Sequence, residues 1–181
     1  MTAAFLLAAG LLLQAAPIEP KPMIDNARVS VWEGRPPAGS FAYDTVTVSA
    51  GGNVQFFKAG SLAVAEKMVV GVKPEKVAPL PNSTKYPLAL PRAGAKKVLD
   101  NARVTVWDYT WTLGQPTPMH FHDKDVVVMF LEDGEVRSTT AKGEVTVSQY
   151  KPGSIRFNAR DRVHTEELVR GKQRAIIVEL K

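Results

Sequence analysis

One eight-residue string occurs twice in this chain, and that recurrence constrains its fold more than any other feature. Asp25-Asn26-Ala27-Arg28-Val29-Ser30-Val31-Trp32 returns as Asp100-Asn101-Ala102-Arg103-Val104-Thr105-Val106-Trp107, with Ser30 against Thr105 as the one difference, at an offset of 75 residues. Chance rarely gives such a match, so a duplication is its natural source. A single recurrence implies two related units and not a solenoid, which stacks at least three. Unit one is placed at 23–90, a linker at 91–97 and unit two at 98–181, with residues 1–16 standing apart from both. The junction is rich in proline (Pro79, Pro81, Pro87, Pro91), which denies helix and central strand alike and reads as an extended crossing.

Both units read as β. Val, Thr, Phe and Trp alternate with polar residues in short runs broken by Gly, Pro and Asp. The expected strands in unit one are 28–32, 45–49, 54–57 and 67–72. In unit two they are 103–112, 119–122, 125–131, 136–139, 144–149, 154–157, 164–169 and 174–180. After residue 16 no stretch has a convincing 3.6-residue apolar period, so many short strands point to a barrel or sandwich.

Composition narrows the function. The chain has 181 residues and a formal net charge of +5, but its Lys and Arg are scattered and not interleaved with aromatics, which argues against a nucleic-acid partner. With no cysteine, disulfides, thiolate metal ligands and a cysteine nucleophile are excluded. The apolar run from Ala3 to Leu13, followed by Gln14-Ala15-Ala16-Pro17, has the form of a signal-peptide core and small-residue cleavage site. Residues 1–16 are therefore expected to be a signal peptide and the mature protein to be periplasmic or secreted. The run falls short of the roughly 20 residues of a spanning helix, so no stable membrane span is expected after cleavage.

The chain has three histidines, His120, His122 and His164. His120 and His122 are two apart in a strand-like run, so both imidazoles face one side. His164 opens a later strand, which a barrel can bring across from the first pair. Three converging imidazoles suit one divalent transition metal such as Fe, Mn, Zn or Ni. His-x-His alone is weak evidence, because surface histidines show the same spacing. Trp107, Tyr109 and Trp111 share a face and read as core or interface; Tyr150 and Arg156 are weaker site candidates.

The glycines around these histidines strengthen the case. Gly114 stands six residues before His120, Gly134 twelve after His122, and Gly153 eleven before His164. This spacing resembles the two motifs of the cupin superfamily, with all three histidines of the chain on the three histidine positions of the pattern. Val127 stands where the first motif has its Glu. Ala159, Asp161 and Leu168 replace the Pro, Gly and Asn of the second. The resemblance implies an all-β, cupin-type double-stranded β-helix (a jelly-roll barrel) in unit two, and a degenerate cupin-like copy in unit one. At the repeat offset His120 and His122 fall on Thr45 and Thr47, so unit one cannot repeat the site. The resemblance further implies a metal on His120, His122 and His164, with Gln115, Asp125 or Glu166 as weaker candidates for a fourth ligand. It resembles the three-His cupins, among them thiol dioxygenases. The expected function is a metal-dependent, dioxygenase-type enzyme on a small anionic substrate, or alternatively a non-catalytic small-ligand or metal-binding module. A homodimer formed by sheet extension is also expected.

Overall fold

Short alternating runs become fourteen strands in the computed structural model, which describes residues 19–181. The expected signal peptide at 1–16 lies outside the described residues. The strands are β1 Ile24–Asp25, β2 Val29–Gly34, β3 Asp44–Val48, β4 Val54–Phe57, β5 Glu66–Val72, β6 Ala95–Asp100 and β7 Val104–Trp111. They continue with β8 His120–His122, β9 Val126–Phe130, β10 Gly134–Thr140, β11 Val145–Tyr150, β12 Ile155–Asn158, β13 Arg162–Gly171 and β14 Gln173–Leu180. Each expected strand is present, with ends displaced by at most two residues. β1 and β6 were not expected. β6 takes over residues 95–97 of the expected linker. It is an edge strand with adjacent lysines, Lys96 and Lys97, and mostly exposed side chains, so it lacks the apolar alternation that announces a strand. No helix among the described residues is long and apolar enough to cross a membrane.

The strands form three antiparallel sheets. Unit two contributes a back sheet, β12-β9-β14-β7-β6, and a front sheet, β11-β10-β13-β8. Their facing sides enclose an inner core that includes Trp107, Tyr109, Trp111, Val126, Val128 and Phe130, so the aromatic trio is barrel core. This is the cupin-type double-stranded β-helix: two facing antiparallel sheets with the chain passing back and forth between them.

Unit one is one sheet, β1-β2-β5-β3-β4, and it copies the back sheet of unit two strand for strand. β1, β2, β5, β3 and β4 take the places of β6, β7, β14, β9 and β12. The register agrees as well. Val29 pairs with Val72 as Val104 pairs with Leu180, and Thr45 pairs with Gly71 as Val126 pairs with Glu179. The sequence offset grows from 75 residues (Val29 to Val104) to 81 (Asp44 to Asp125), 101 (Val54 to Ile155) and 108 (Val72 to Leu180). The three increments fall where β8, the β10–β11 hairpin and β13 are inserted. Unit one is thus a barrel half without its front sheet. The equivalence also corrects the simple offset: Thr45 and Thr47 correspond to Val126 and Val128, and His120 and His122 have no counterpart.

The two copies pack face to face. Val31, Val46 and Val70 from one sheet and Val106, Val127 and Val178 from the other lie in a single apolar core, all without solvent exposure. The repeated string makes the clasp at this interface reciprocal. Asn26 and Asn101 each accept two backbone N–H bonds, from Arg28 and Val29 and from Arg103 and Val104, which fixes the turn before each arginine. Arg28 then crosses to unit two, donating to Asp125 Oδ2 at 2.9 Å and to the Lys181 carbonyl at 3.4 Å. Arg103 crosses the other way, lying 3.7 Å from Asp44 Oδ2 and donating to the Lys73 carbonyl at 2.5 Å. Asp44 and Asp125 are equivalent, as are Lys73 and Lys181, so the interface has an internal pseudo-twofold.

Candidate metal centre

β8 is only three residues long, His120-Phe121-His122, and pairs antiparallel with the start of β13. His120 lies directly opposite His164. Strand alternation turns Phe121 to the other side, where its backbone binds the junction strand: Ala89 N–H donates to the Phe121 carbonyl and Phe121 N–H to the Pro87 carbonyl, both at 2.8 Å. The three histidines are thereby held on one face, all buried.

Their rings form a nearly equilateral triangle. Centroid separations are 5.1, 4.8 and 5.0 Å, with interplanar angles of 62°, 67° and 63°. One ligand atom from each lies within 4.8 Å of the others. Nε2 of His122 and Nε2 of His164 are 2.9 Å apart. Two imidazole nitrogens about 2.1 Å from one metal and near a right angle are separated by roughly 3 Å, so this pair already has the spacing of two cis ligands.

Tautomer and charge also suit ligation. Nδ1 of His120 lies 2.8 Å from the Pro118 carbonyl, which can only accept, so Nδ1 carries the proton and Nε2 is a bare lone pair. Nδ1 of His164 meets Ser138 Oγ at 2.9 Å, again leaving Nε2 toward the centre. Burial, reinforced by the cation of Arg92, lowers His120 to about 4. Burial likewise depresses His122, aided by Arg162, and depresses His164. Neutral imidazoles are the form a metal binds, and two of the three, His120 and His164, have a partner on the second nitrogen. The donor set therefore fits a divalent ion.

The surroundings differ from the sequence expectation in one respect. Val127, placed at the Glu position, is fully buried on the opposite face of β9, in the core shared with unit one. Its neighbour Val126, 2% exposed, lines the inner cavity beside His122 and His164. A carboxylate reaching the histidines would have to stand at 126. Counting residues from His122 missed this because spacing does not reveal face. Asp125 also faces away and holds Arg28. Gln115 lines an outer cavity, and Glu166, two residues along β13 from His164, lines the inner cavity with His122 and His164 but stands outside the three-histidine group and is paired with Arg92. Burial opposes ionisation of Glu166, but the Arg92 guanidinium beside it outweighs burial and holds the carboxyl below its usual range. Tyr150 lines the inner cavity and stacks on Phe130 at 3.7 Å, while Arg156 is exposed.

The second motif is recognisable by conformation. Asp161, standing where the pattern has Gly, has φ of 66° and is the one non-glycine residue with positive φ among the described residues. The backbone thus retains the left-handed turn that the motif glycine serves. Gly134, the last glycine of the first motif, is needed for space: a Cβ there would lie 2.6 Å from the Lys172 carbonyl oxygen.

Arg92 was not foreseen. It comes from the junction, anchored by the buried Leu90. Its Nη1 lies 3.0 Å from Nε2 of His120, its Nη2 donates to Glu166 Oε2 at 2.8 Å, and its guanidinium lies 4.2 Å from the Tyr109 ring centroid. A lone Arg after Pro91 carries no sequence signal for this role.

No family model matches the chain, and no curated protein matches it. Solved structures do resemble it. A cupin domain from Bordetella pertussis is 24% identical, covering 54% of this chain and 98% of that one with a TM-score of 0.44. An RmlC-like cupin family protein with a double-stranded β-helix fold from Methanocaldococcus jannaschii is 17% identical, covering 60% and 92%, TM-score 0.41. A polyketide cyclase from Streptomyces resistomycificus is 21% identical, covering 54% and 69%, TM-score 0.39. Likenesses at this level carry no functional weight. Unit two is a cupin-type barrel on its own strand order and on the place its motif histidines take within it.

Proposed function

We propose that unit two binds one divalent transition metal through His120, His122 and His164, and that the protein is an exported, metal-dependent enzyme of dioxygenase type acting on a small anionic molecule. The observation that carries the metal reading is the triangle of buried, neutral imidazoles with near-equal separations. When bound, a metal held by neutral ligands would supply Lewis-acid or redox chemistry and keep its positive charge uncompensated, which favours an anionic partner. The chain's own residues do the rest. Pro118 and Ser138 orient His120 and His164, and Trp111, Val126, Val128 and Phe130 exclude water from the inner cavity.

A second reading, a non-catalytic binding module, is favoured by the size of that inner cavity. At about 110 Å³ it is smaller than the roughly 300 Å³ of a usual small-molecule pocket. Elemental analysis of protein purified from its native host tests the metal. One equivalent of iron or manganese with oxygen uptake supports the enzyme, and one of zinc or nickel without turnover supports the module. Metal content unchanged in the His120→Ala, His122→Ala double variant would remove both readings. Export is tested by sequencing the mature N-terminus, expected after Ala15 or Ala16. The outer face of the back sheet is covered by unit one, which leaves the sheet edges open to a homodimer formed by sheet extension; light scattering gives the mass directly.

A further inference from the structure

Arg92 stands between two cavities. It lines the inner one with His122, His164 and Glu166, and an outer one of about 380 Å³ with His120, Tyr109 and Gln115. Its side chain is 10% exposed, and its Nε has no partner. Among the described residues lining the outer cavity, Arg92 is the one formally charged side chain.

Nε2 of His120 has a single lone pair, because Nδ1 carries the proton given to Pro118. That lone pair faces Nη1 of Arg92 at 3.0 Å. A guanidinium hydrogen and a metal ion cannot hold one lone pair together. Resting on the metal reading above, we propose that Arg92 is a displaceable guard on His120, and that the metal, by taking His120, frees Nη1 to anchor the carboxylate of a small organic anion in the outer cavity. The release need not break the ion pair to Glu166, which uses the other nitrogen. A half-buried cationic donor deprived of its acceptor costs free energy until another is found. The outer cavity supplies no acidic side chain to meet it, so the acceptor comes with the ligand. Metal and anion therefore favour each other, and by linkage the factor is the same in either direction.

The test is calorimetric titration of the full chain with Zn²⁺, with and without propionate. Propionate at saturation is expected to tighten Zn²⁺ binding about tenfold, within the usual range of coupling. Arg92→Met is expected to bind Zn²⁺ about tenfold or more tightly without propionate, the worth of one charge-assisted hydrogen bond, and to lose the propionate effect. Because this variant also frees Glu166, it is compared again in a Glu166→Gln background, where the tightening should persist. Arg92→Lys, which keeps the cation, should keep a weakened propionate effect and serves if the Met variant does not fold. Zn²⁺ binding by Arg92→Met no tighter than in the parent, or a propionate effect surviving in it, overturns the guard while leaving the metal site standing. No Zn²⁺ binding by any form overturns the metal reading and the guard with it.

Discussion

Placing a glutamate at 126 and at 127 gives opposite outcomes, and the contrast tests which face of β9 looks at the histidines. Val127 has no solvent exposure and sits between the two back sheets among Val46, Val106 and Val178. The residues packed with it there are apolar, so a Glu there loses about 2 kcal/mol of apolar burial and places a carboxyl among them, at roughly 2–7 kcal/mol more. A total loss of about 4 kcal/mol or more is a large share of the 5–15 kcal/mol that holds a typical domain together. Val126→Glu instead directs a carboxylate into the cavity beside His122 and His164, adding an anionic donor to a neutral set. Urea unfolding followed by tryptophan fluorescence, with chelator and with Zn²⁺, separates the two. Val127→Glu should fall by about 4 kcal/mol in both conditions. Val126→Glu should lose stability in chelator, regain it with Zn²⁺ and bind Zn²⁺ more tightly than the parent. A stable Val127→Glu that tightens metal binding would refute the face assignment.

Other consequences are as direct. Arg28→Met should destabilise the protein by about 3 kcal/mol, since it leaves the buried Asp125 carboxylate without its partner, and chemical denaturation measures it; a loss under 1 kcal/mol would mean the clasp is incidental. Asp161→Gly should raise stability by about 0.5–1 kcal/mol, relief of a left-handed residue offset by glycine's unfolded-state freedom, read as a shift in the urea midpoint; destabilisation would show that the Asp side chain matters more than its φ. His120 is depressed from 6.5 to about 4 by burial first and Arg92 second, so its stability contribution is whole above pH 6.5 and is lost as pH falls toward 4. Stability of chelator-treated protein should drop across that window by about 3 kcal/mol from His120, with His122 and His164 acting in the same direction; a flat profile would contradict their burial as neutral rings.

Much of this was legible in the residues because strands that are half buried must alternate. Runs such as Val-Thr-Val-Trp after Arg103 announced their strands, and the glycine and histidine spacing placed three distant imidazoles at one centre. What the sequence withheld was relational. Nothing local says that β9 turns Val126 and not Val127 toward the histidines, since four successive apolar residues, Val126 to Met129, serve two cores at once. The repeat revealed kinship, but the offset changes at each inserted strand, and only pairing registers show that unit one is a back sheet without a front. Arg92 was hidden because its role depends on the junction crossing the barrel mouth, which a proline-rich stretch does not specify.

The most direct trial of the account is X-ray absorption spectroscopy of protein loaded with one equivalent of Zn²⁺, counting the imidazoles around the ion. Three nitrogen ligands with imidazole multiple scattering, falling to fewer in His122→Ala, is the predicted spectrum. An oxygen-dominated shell with one imidazole or none, unchanged in that variant, would contradict it.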